Sequence, residues 1–281
     1  MKKFSRIFTL TLAIAILMST LAGCSSKASS SSSIDTIKKN GVIRIGVFSD
    51  KPPFGYVDEN GKNQGFDVYI AKRLAKDLLG DEDKVHFVLV EAASRVEYLE
   101  TNKVDIILAN FTVTDERKQK VDFANPYMKV ALGVVSPDGA PITDVSQLKG
   151  KKLIVNKGTT AETYFTKNYP DIELLKFDQN TEAFQALKDG RGAALAHDNT
   201  LLFAWARQNP GFTTSIGSLG SQDTIAPAVK KGNTELLNWI NDELTKLGNE
   251  NFVHKAYDAT LKPAYGDTVD PESVVIEGGK Q

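Results

Sequence analysis

The chain has 281 residues, 41% hydrophobic and 25% charged, with a formal net charge of −1. That length suits two domains of ordinary size, and the composition is ordinary for a soluble globular protein. Loss of a leader carrying Lys2, Lys3 and Arg6 would take the charge from −1 to −4, which argues against a nucleic-acid or polybasic membrane-binding role.

The basic head is followed by an apolar run over residues 7–18, too short for a stable membrane span, and then by Leu21-Ala-Gly-Cys24. This is the pattern of a lipoprotein signal peptide, residues 1–23, with cleavage before Cys24 and lipidation of its sulfur expected. Cys24 is the only cysteine, so no disulfide can form within the chain. The serine-rich stretch 24–33 has nothing to bury and reads as a flexible tether. No other run approaches the length of a membrane helix, so the body is expected to be held at a membrane only by its lipid.

Gly41-Val-Ile-Arg-Ile-Gly-Val47 predicts a first buried strand, and the prolines of Phe48-Ser-Asp-Lys-Pro-Pro-Phe-Gly-Tyr56 force a loop at its carboxyl end. Phe54 and Tyr56 are therefore placed near that edge. Asp67 is read as the cap of a helix whose apolar face carries Val68, Ala71, Leu74, Ala75 and Leu78, closed at Gly80. A strand over 84–90, a helix over 94–101 and a strand over 104–109 complete a βαβαβ pattern, from which a parallel sheet follows.

The third strand stops abruptly in Asn110-Phe-Thr-Val-Thr-Asp-Glu-Arg117, where Thr114 is a plausible N-cap and Asp115 and Glu116 suit a helix's first turn. Asn110, Thr112 and Arg117 are thus expected at the carboxyl end of a central strand, the edge where open α/β sheets bind small ligands. A guanidinium there offers a planar fork matched to a carboxylate. A solvated arginine in a helix's first turn is the alternative.

After a strand over 130–135 and a loop over 137–141, the pattern restarts. Gly150-Lys-Lys-Leu-Ile-Val155 echoes the first strand, and residues 187–198 echo 99–110 at identical spacing, which predicts a second α/β unit with its own edge. Thr159-Thr-Ala-Glu162 is a capping box after Gly158, and the helix it opens presents free N–H groups to an anion, or simply starts a helix. Asp198 occupies the place of Asn110 and could cap a helix or balance an ammonium. Arg95 opens the helix before the central strand, from which it could reach the cleft. Residues 215–222 read as a short polar segment, 224–229 as a strand, and 233–247 as a helix with Leu236, Leu237, Ile240, Leu244 and Leu247 inward. If this last part returns to the first domain, two crossings form a hinge over a cleft. The edges together offer an arginine and a helix N-terminus for a carboxylate, an aspartate for an ammonium, and aromatics for the rest: partners for a free α-amino acid.

Six motifs, in order and spacing, resemble the polar amino-acid solute-binding proteins of ABC importers, family 3, periplasmic binding proteins of type II. They are Pro52-Pro-Phe54, Gly65-Phe-Asp67, Asn102-Lys-Val-Asp105, Thr112-Val-Thr-Asp-Glu-Arg-Lys118, Lys157-Gly-Thr159 and His197-Asp198. Asn156-Lys-Gly-Thr-Thr160, residues 197–205, residues 225–232 and Val274-Val-Ile-Glu-Gly-Gly-Lys280 look like the cysteine-binding lipoprotein branch. The resemblance implies an α/β, two-lobed "Venus flytrap" fold, each lobe a mostly parallel sheet flanked by helices, joined by two crossing strands. It divides the body into residues 34–129 and 223–281 of the first lobe and 130–222 of the second. It implies that Arg117 and the Thr160 backbone hold the α-carboxylate with Thr159 beside it, that Asn110 and Thr112 help, that Asp198 takes the ammonium, and that Phe54 packs on the ligand. Arg95 stands where acidic-amino-acid binders read a side-chain carboxylate, so aspartate or glutamate remains an alternative ligand to cysteine. Ala92 stands where glutamine binders carry an aromatic. The implied partners are the amino acid, an ABC permease in the cytoplasmic membrane, and the membrane itself through the N-terminal lipid, with the protein a monomer at the cell envelope.

An enzyme on the same scaffold, of the dehydratase-like kind, would need a general acid or base, for which His197 and Glu91 are nearest. No nucleophile, base and orienter stand together, so no catalytic residue is assigned. His86, His197 and His254 are isolated, so no metal or cofactor is expected. A structural surface lipoprotein or adhesin is the third possibility.

Overall fold

A computed structural model describes residues 34–280; the leader, Cys24 and the serine-rich tether lie outside the described residues. Helix α1 (Ile34–Asn40) leads into β1 (Ile43–Val47), followed by a small antiparallel sheet of β2 (Asp50–Lys51), β3 (Gly55–Val57) and β4 (Asn63–Gln64). Next come α2 (Phe66–Leu79), β5 (Val85–Leu89), α3 (Arg95–Glu100), β6 (Ile106–Ile107), α4 (Asp115–Lys118), β7 (Val121–Phe123) and the long β8 (Met128–Pro137). The second half runs β9 (Lys152–Asn156), α5 (Thr160–Asn168), β10 (Glu173–Phe177), α6 (Asn180–Lys188), β11 (Ala194–Asp198), α7 (Asn199–Gln208), β12 (Phe212–Ile225) and β13 (Ala228–Lys230). The chain closes with α8 (Thr234–Gly248), α9 (Phe252–Ala256) and α10 (Lys262–Tyr265).

Two five-stranded sheets have the same plan. In the first, β5-β1-β6 is a parallel set, followed by β13 antiparallel to β6 and by β7 antiparallel to β13. In the second, β10-β9-β11 is parallel, then β8 runs antiparallel and β12 antiparallel to it. Four strands of each sheet therefore share a direction and one is reversed. The chain passes between sheets near Met128 and again near Ile225, where β8 and β12 pair, with Met128 opposite Ile225 and Lys129 opposite Thr224. Since β13 pairs with β6 and β7, the last part of the chain does return to the first sheet. The fold is the α/β, two-lobed arrangement with two crossing strands.

Apolar periodicity explains the packing. Helix α2 buries Val68, Ala71, Leu74, Ala75 and Leu78 on one face, and α8 buries Leu236, Ile240, Leu244 and Leu247, while Leu237 is only half-buried at the edge of that face. Several elements differ from expectation. The central strand is two residues long, because Asn110 takes a left-handed backbone (φ 45°) and turns the chain out of the sheet. The polar segment 215–222 belongs to the 14-residue edge strand β12, whose outer face meets solvent and whose three register shifts erase strict alternation. The strand expected over 224–229 is broken at Pro227, which has no N–H to give. Asp67 does not cap α2. Gly65, with φ 113° and no room for a side chain against Phe54, lets the Pro53 and Phe54 carbonyls accept from the Phe66 and Asp67 N–H groups, which frees the Asp67 carboxylate to turn inward.

Candidate functional site

The carboxyl ends of the parallel strands in both sheets face one small cavity. It has only about 10 Å³ of free space, room for about one water, so the side chains that line it nearly fill it. From the first lobe, Asn110 leaves β6 with its backbone held by Asp67, whose Oδ2 accepts from the Asn110 N–H at 2.8 Å while Oδ1 accepts from the Tyr127 hydroxyl at 2.7 Å. Thr114 caps α4, its Oγ1 accepting from the Arg117 N–H at 3.2 Å. That cap starts the helix just after Thr112 and swings the Arg117 guanidinium back over the strand end. There its Nη1 donates to the Thr112 carbonyl (2.7 Å) and its Nη2 to the Gly158 carbonyl (2.9 Å), with the Phe111 ring 4.7 Å beneath.

Arg95 is buried beside it and more fully engaged. Its Nε donates to the Ala92 carbonyl (3.0 Å), Nη1 to those of Ala109 (3.0 Å) and Asn110 (3.2 Å), and Nη2 to that of Gly158 (3.2 Å). Four of its five N–H groups thus fix main chain around the cavity.

From the second lobe, Thr159 caps α5. Its Oγ1 accepts from the Glu162 N–H and donates to the Asn156 carbonyl, and Glu162 reaches back to the Gly158 N–H at 2.7 Å. The expected capping box thus forms with its return bond one residue early. Thr160 is the first helical residue, and its N–H is among those an α-helix leaves without an internal partner. Asp198 ends β11, buried, its Oδ2 3.0 Å from Lys51 Nζ. His197 is buried beside it, and its Nδ1 accepts from the Asp198 N–H at 2.7 Å. A ring nitrogen that accepts is unprotonated, and burial lowers the pKa of this imidazole further.

The cavity is electrically lopsided, with Lys51, Arg95 and Arg117 against the single carboxylate of Asp198. Burial pushes the Arg117 pKa down to about 10 and lowers that of Arg95 well below its ordinary value, with Arg117 adding to the effect. Burial opposes ionisation of Asp198, but Lys51 and the neighbouring His197 ring together outweigh it and hold the carboxyl well below the ordinary carboxylate range. Burial raises Asp67 to about 6 even though Tyr127 and the Asn110 N–H stabilise its anion.

The lobes touch around this cavity. Gly158, at φ 73°, lies so close to Ala93 that a Cβ there would fall 2.5 Å from the Ala93 Cα. Asp50 accepts from the N–H groups of Asn180 (2.6 Å) and Thr181 (3.2 Å), and so caps α6 from across the cleft, and Gln179 Nε2 donates to Glu91 at 2.8 Å. Outside this contact a larger groove of about 460 Å³, bearing Lys120, Tyr164 and Lys167, shares Ala92, Arg117 and Thr160 with the inner cavity.

Of the residues expected at the site, Arg95, Asn110, Thr112, Arg117, Thr159, Thr160 and Asp198 come together on the cavity wall. Phe54 does not. It is fully buried behind Lys51, 5.8 Å from its ammonium, and Phe48 lines the cavity instead. Sequence reasoning missed Lys51 and Phe48. A lysine before two prolines reads as a solvated loop residue, and only its place three residues after Phe48, the aromatic that directly follows a buried strand, hinted otherwise. Among the described residues, no group of three His, Cys, Asp or Glu side chains could hold a metal ion.

Comparison with known proteins adds to this geometry. Residues 43–261 match the model of the bacterial extracellular solute-binding proteins, family 3. The solved solute receptor for L-cysteine of Neisseria gonorrhoeae is 64% identical, with a TM-score of 0.86 over 88% of this chain and 100% of that one. The cysteine-binding protein from Campylobacter jejuni is also 64% identical, with a TM-score of 0.86 over 87% of this chain and 98% of its own. Among curated relatives, the ABC transporter glutamine-binding protein of Bacillus subtilis is 36% identical over 92% of this chain and 97% of its own.

Proposed function

The chain belongs to the bacterial extracellular solute-binding proteins, family 3, and we propose that it is the receptor subunit of an ABC importer that closes its two lobes on a free L-amino acid, cysteine. The observation that carries this reading is the placement of opposite charges on opposite walls of one buried cleft at the strand ends. Arg117 projects from the first lobe with three of its five N–H donors not engaged by the main chain, next to the N-terminus of α5; Asp198 projects from the second. The α-carboxylate is assigned to Arg117 and the Thr160 N–H, the α-ammonium to Asp198, and the main-chain groups to Asn110, Thr112 and Thr159.

Cysteine is favoured over glutamine by two observations. The cleft has almost no free space with the lobes as they stand, and the close Gly158–Ala93 approach at its rim leaves little room for a longer side chain in this arrangement. The relatives with the greater identity are those described as cysteine receptors. Aspartate is the second reading, favoured by the excess of cations around the cavity. Catalysis is not part of the reading, since His197 spends its unprotonated nitrogen on a neighbouring N–H.

The lobe boundaries near residues 129/130 and 222/223, the leader 1–23, lipidation of Cys24 and the tether 24–33 complete the proposal, which places a monomeric body on the extracytoplasmic face of a membrane beside its permease. A thermal-shift screen of the ligand-stripped body against the twenty amino acids and cystine tests it. A ligand bound only by the native state raises the melting temperature, by about 2.7 kcal/mol of stability at a hundredfold excess over Kd. The largest shift is expected with cysteine. No shift with any amino acid would refute the assignment.

A further inference from the structure

Lys51 takes no part in the assignments above, yet it is among the most deeply buried side chains of the protein. Its exposure is 1%, and lysine is almost never buried to that degree without a partner. From β2 its Nζ donates to Asn110 Oδ1 at 2.5 Å and to Asp198 Oδ2 at 3.0 Å, with the Phe48 ring 5.2 Å away. If Asp198 receives a ligand's ammonium, two cations share one carboxylate; burial already lowers the Lys51 pKa against the pull of Asp198, so a further anion beside Nζ would favour its charged form.

The groups facing it allow only one source. Arg95 and Arg117 are cationic, His197 is unprotonated at Nδ1, and Asp67 is turned away to Tyr127 and the Asn110 N–H. A zwitterion adds no net charge, so the excess of cations remains unless the ligand's side chain is itself anionic. A cationic side chain would add a further positive charge to a buried cluster, which low dielectric makes prohibitive.

Resting on the amino-acid assignment above, we propose that Lys51 is the specificity-determining residue of the site: it receives the ligand's side chain as an anion and refuses cationic amino acids. Cysteine is then bound with its sulfur as thiolate, the S–H bond breaking and its proton passing to solvent as the sulfur accepts a charge-assisted hydrogen bond from Nζ.

The test is a titration of the ligand-stripped mature chain with L-cysteine at neutral pH and with a phosphine reductant, followed by calorimetry and by the ultraviolet band that a thiolate has and a thiol lacks. The band is expected to grow with occupancy and to saturate at one equivalent. Lys51→Met is expected to bind cysteine about 10- to 100-fold more weakly, with no band and with its preference for cysteine over serine reduced to a few-fold; Lys51→Arg keeps the charge and is expected to keep the band. Calorimetric binding of cysteine by the wild-type chain without a thiolate band overturns this inference and leaves the amino-acid receptor intact. Absence of cysteine binding overturns both. The wild-type titration decides the matter even where Lys51→Met fails to fold.

Discussion

Arg95 and Arg117 bring the same group into the same cavity but have different numbers of donors to spare. Arg95 gives four N–H groups to main-chain carbonyls and Arg117 only two, so Arg95 shapes the wall while Arg117 can grip a ligand. Arg117→Ala is expected to weaken cysteine binding by roughly 2–5 kcal/mol, thirtyfold or more in Kd, measured by calorimetry; an unchanged Kd would refute the anchor. Gly158→Ala tests the contact between lobes. The added methyl meets Ala93 at 2.5 Å and sits at φ 73°, so affinity is expected to fall at least ~10-fold, with about 1–2 kcal/mol lost from the unliganded chain for the left-handed backbone. Loss of stability without loss of affinity would show that the lobes need not meet there. At this scale the sequence was informative where a polar residue closes or soon follows a buried strand, as Asp198 and Asn110 do, and where a helix cap was readable, as Thr114 before Arg117. It was silent on Lys51, because burial of a charged side chain is a product of tertiary packing and leaves no local pattern. It also did not separate Phe48 from Phe54, since both flank the same loop and only the folded loop decides that Phe48 lines the cavity while Phe54 is buried behind Lys51.

Two elements owe their stability to partners far along the chain. Helix α6 has no side-chain cap of its own, and Asp50 supplies one from the other lobe. Asp50→Ala is expected to cost about 1 kcal/mol of the closed form, hence roughly fivefold in affinity, with a smaller effect on unliganded melting; equal losses in both would make the cap a feature of the fold alone. The C-terminal segment is clipped to α9 by His254, whose ring nitrogens lie 2.7 Å from Glu277 and 2.9 Å from Glu272. Burial opposes the imidazolium charge, but the hydrogen bonds to Glu277 and Glu272 outweigh it and raise the pKa. A pKa raised in the folded state means that the clip contributes fully below the ordinary imidazole value of about 6.5 and that this contribution is lost as pH rises through the raised folded value. The melting-temperature gap between wild type and His254→Ala should therefore be widest in mild acid and narrow in alkali. A gap independent of pH would refute the charged clip. Helices and parallel strands were legible because their apolar periods are strong. The edge strand β12 was not, because bulges and a solvated face leave a polar stretch with two glycines that reads as a loop.

At the scale of the whole molecule, one plan appears twice: a parallel set of three strands, a reversed strand and a fifth. The reversed strand of each sheet lies beside a chain crossing, β8 on the way out and β13 on the way back, so the second lobe is tied to the first by two adjacent strands. Such a ribbon is stiff along its length and soft to twist at its ends, which suits rigid-body closure. The echo of residues 99–110 in 187–198 made the duplication visible in the sequence. The return crossing was not, because β13 is three residues long and carries no turn signal beyond Pro227. Whether the lobes close on a free amino acid is measured directly by small-angle X-ray scattering of the ligand-stripped mature chain. The radius of gyration is expected to fall when cysteine saturates the wild-type protein and to stay unchanged at the same concentration in Asp198→Asn. A constant radius of gyration in the wild-type chain at saturating ligand would contradict lobe closure.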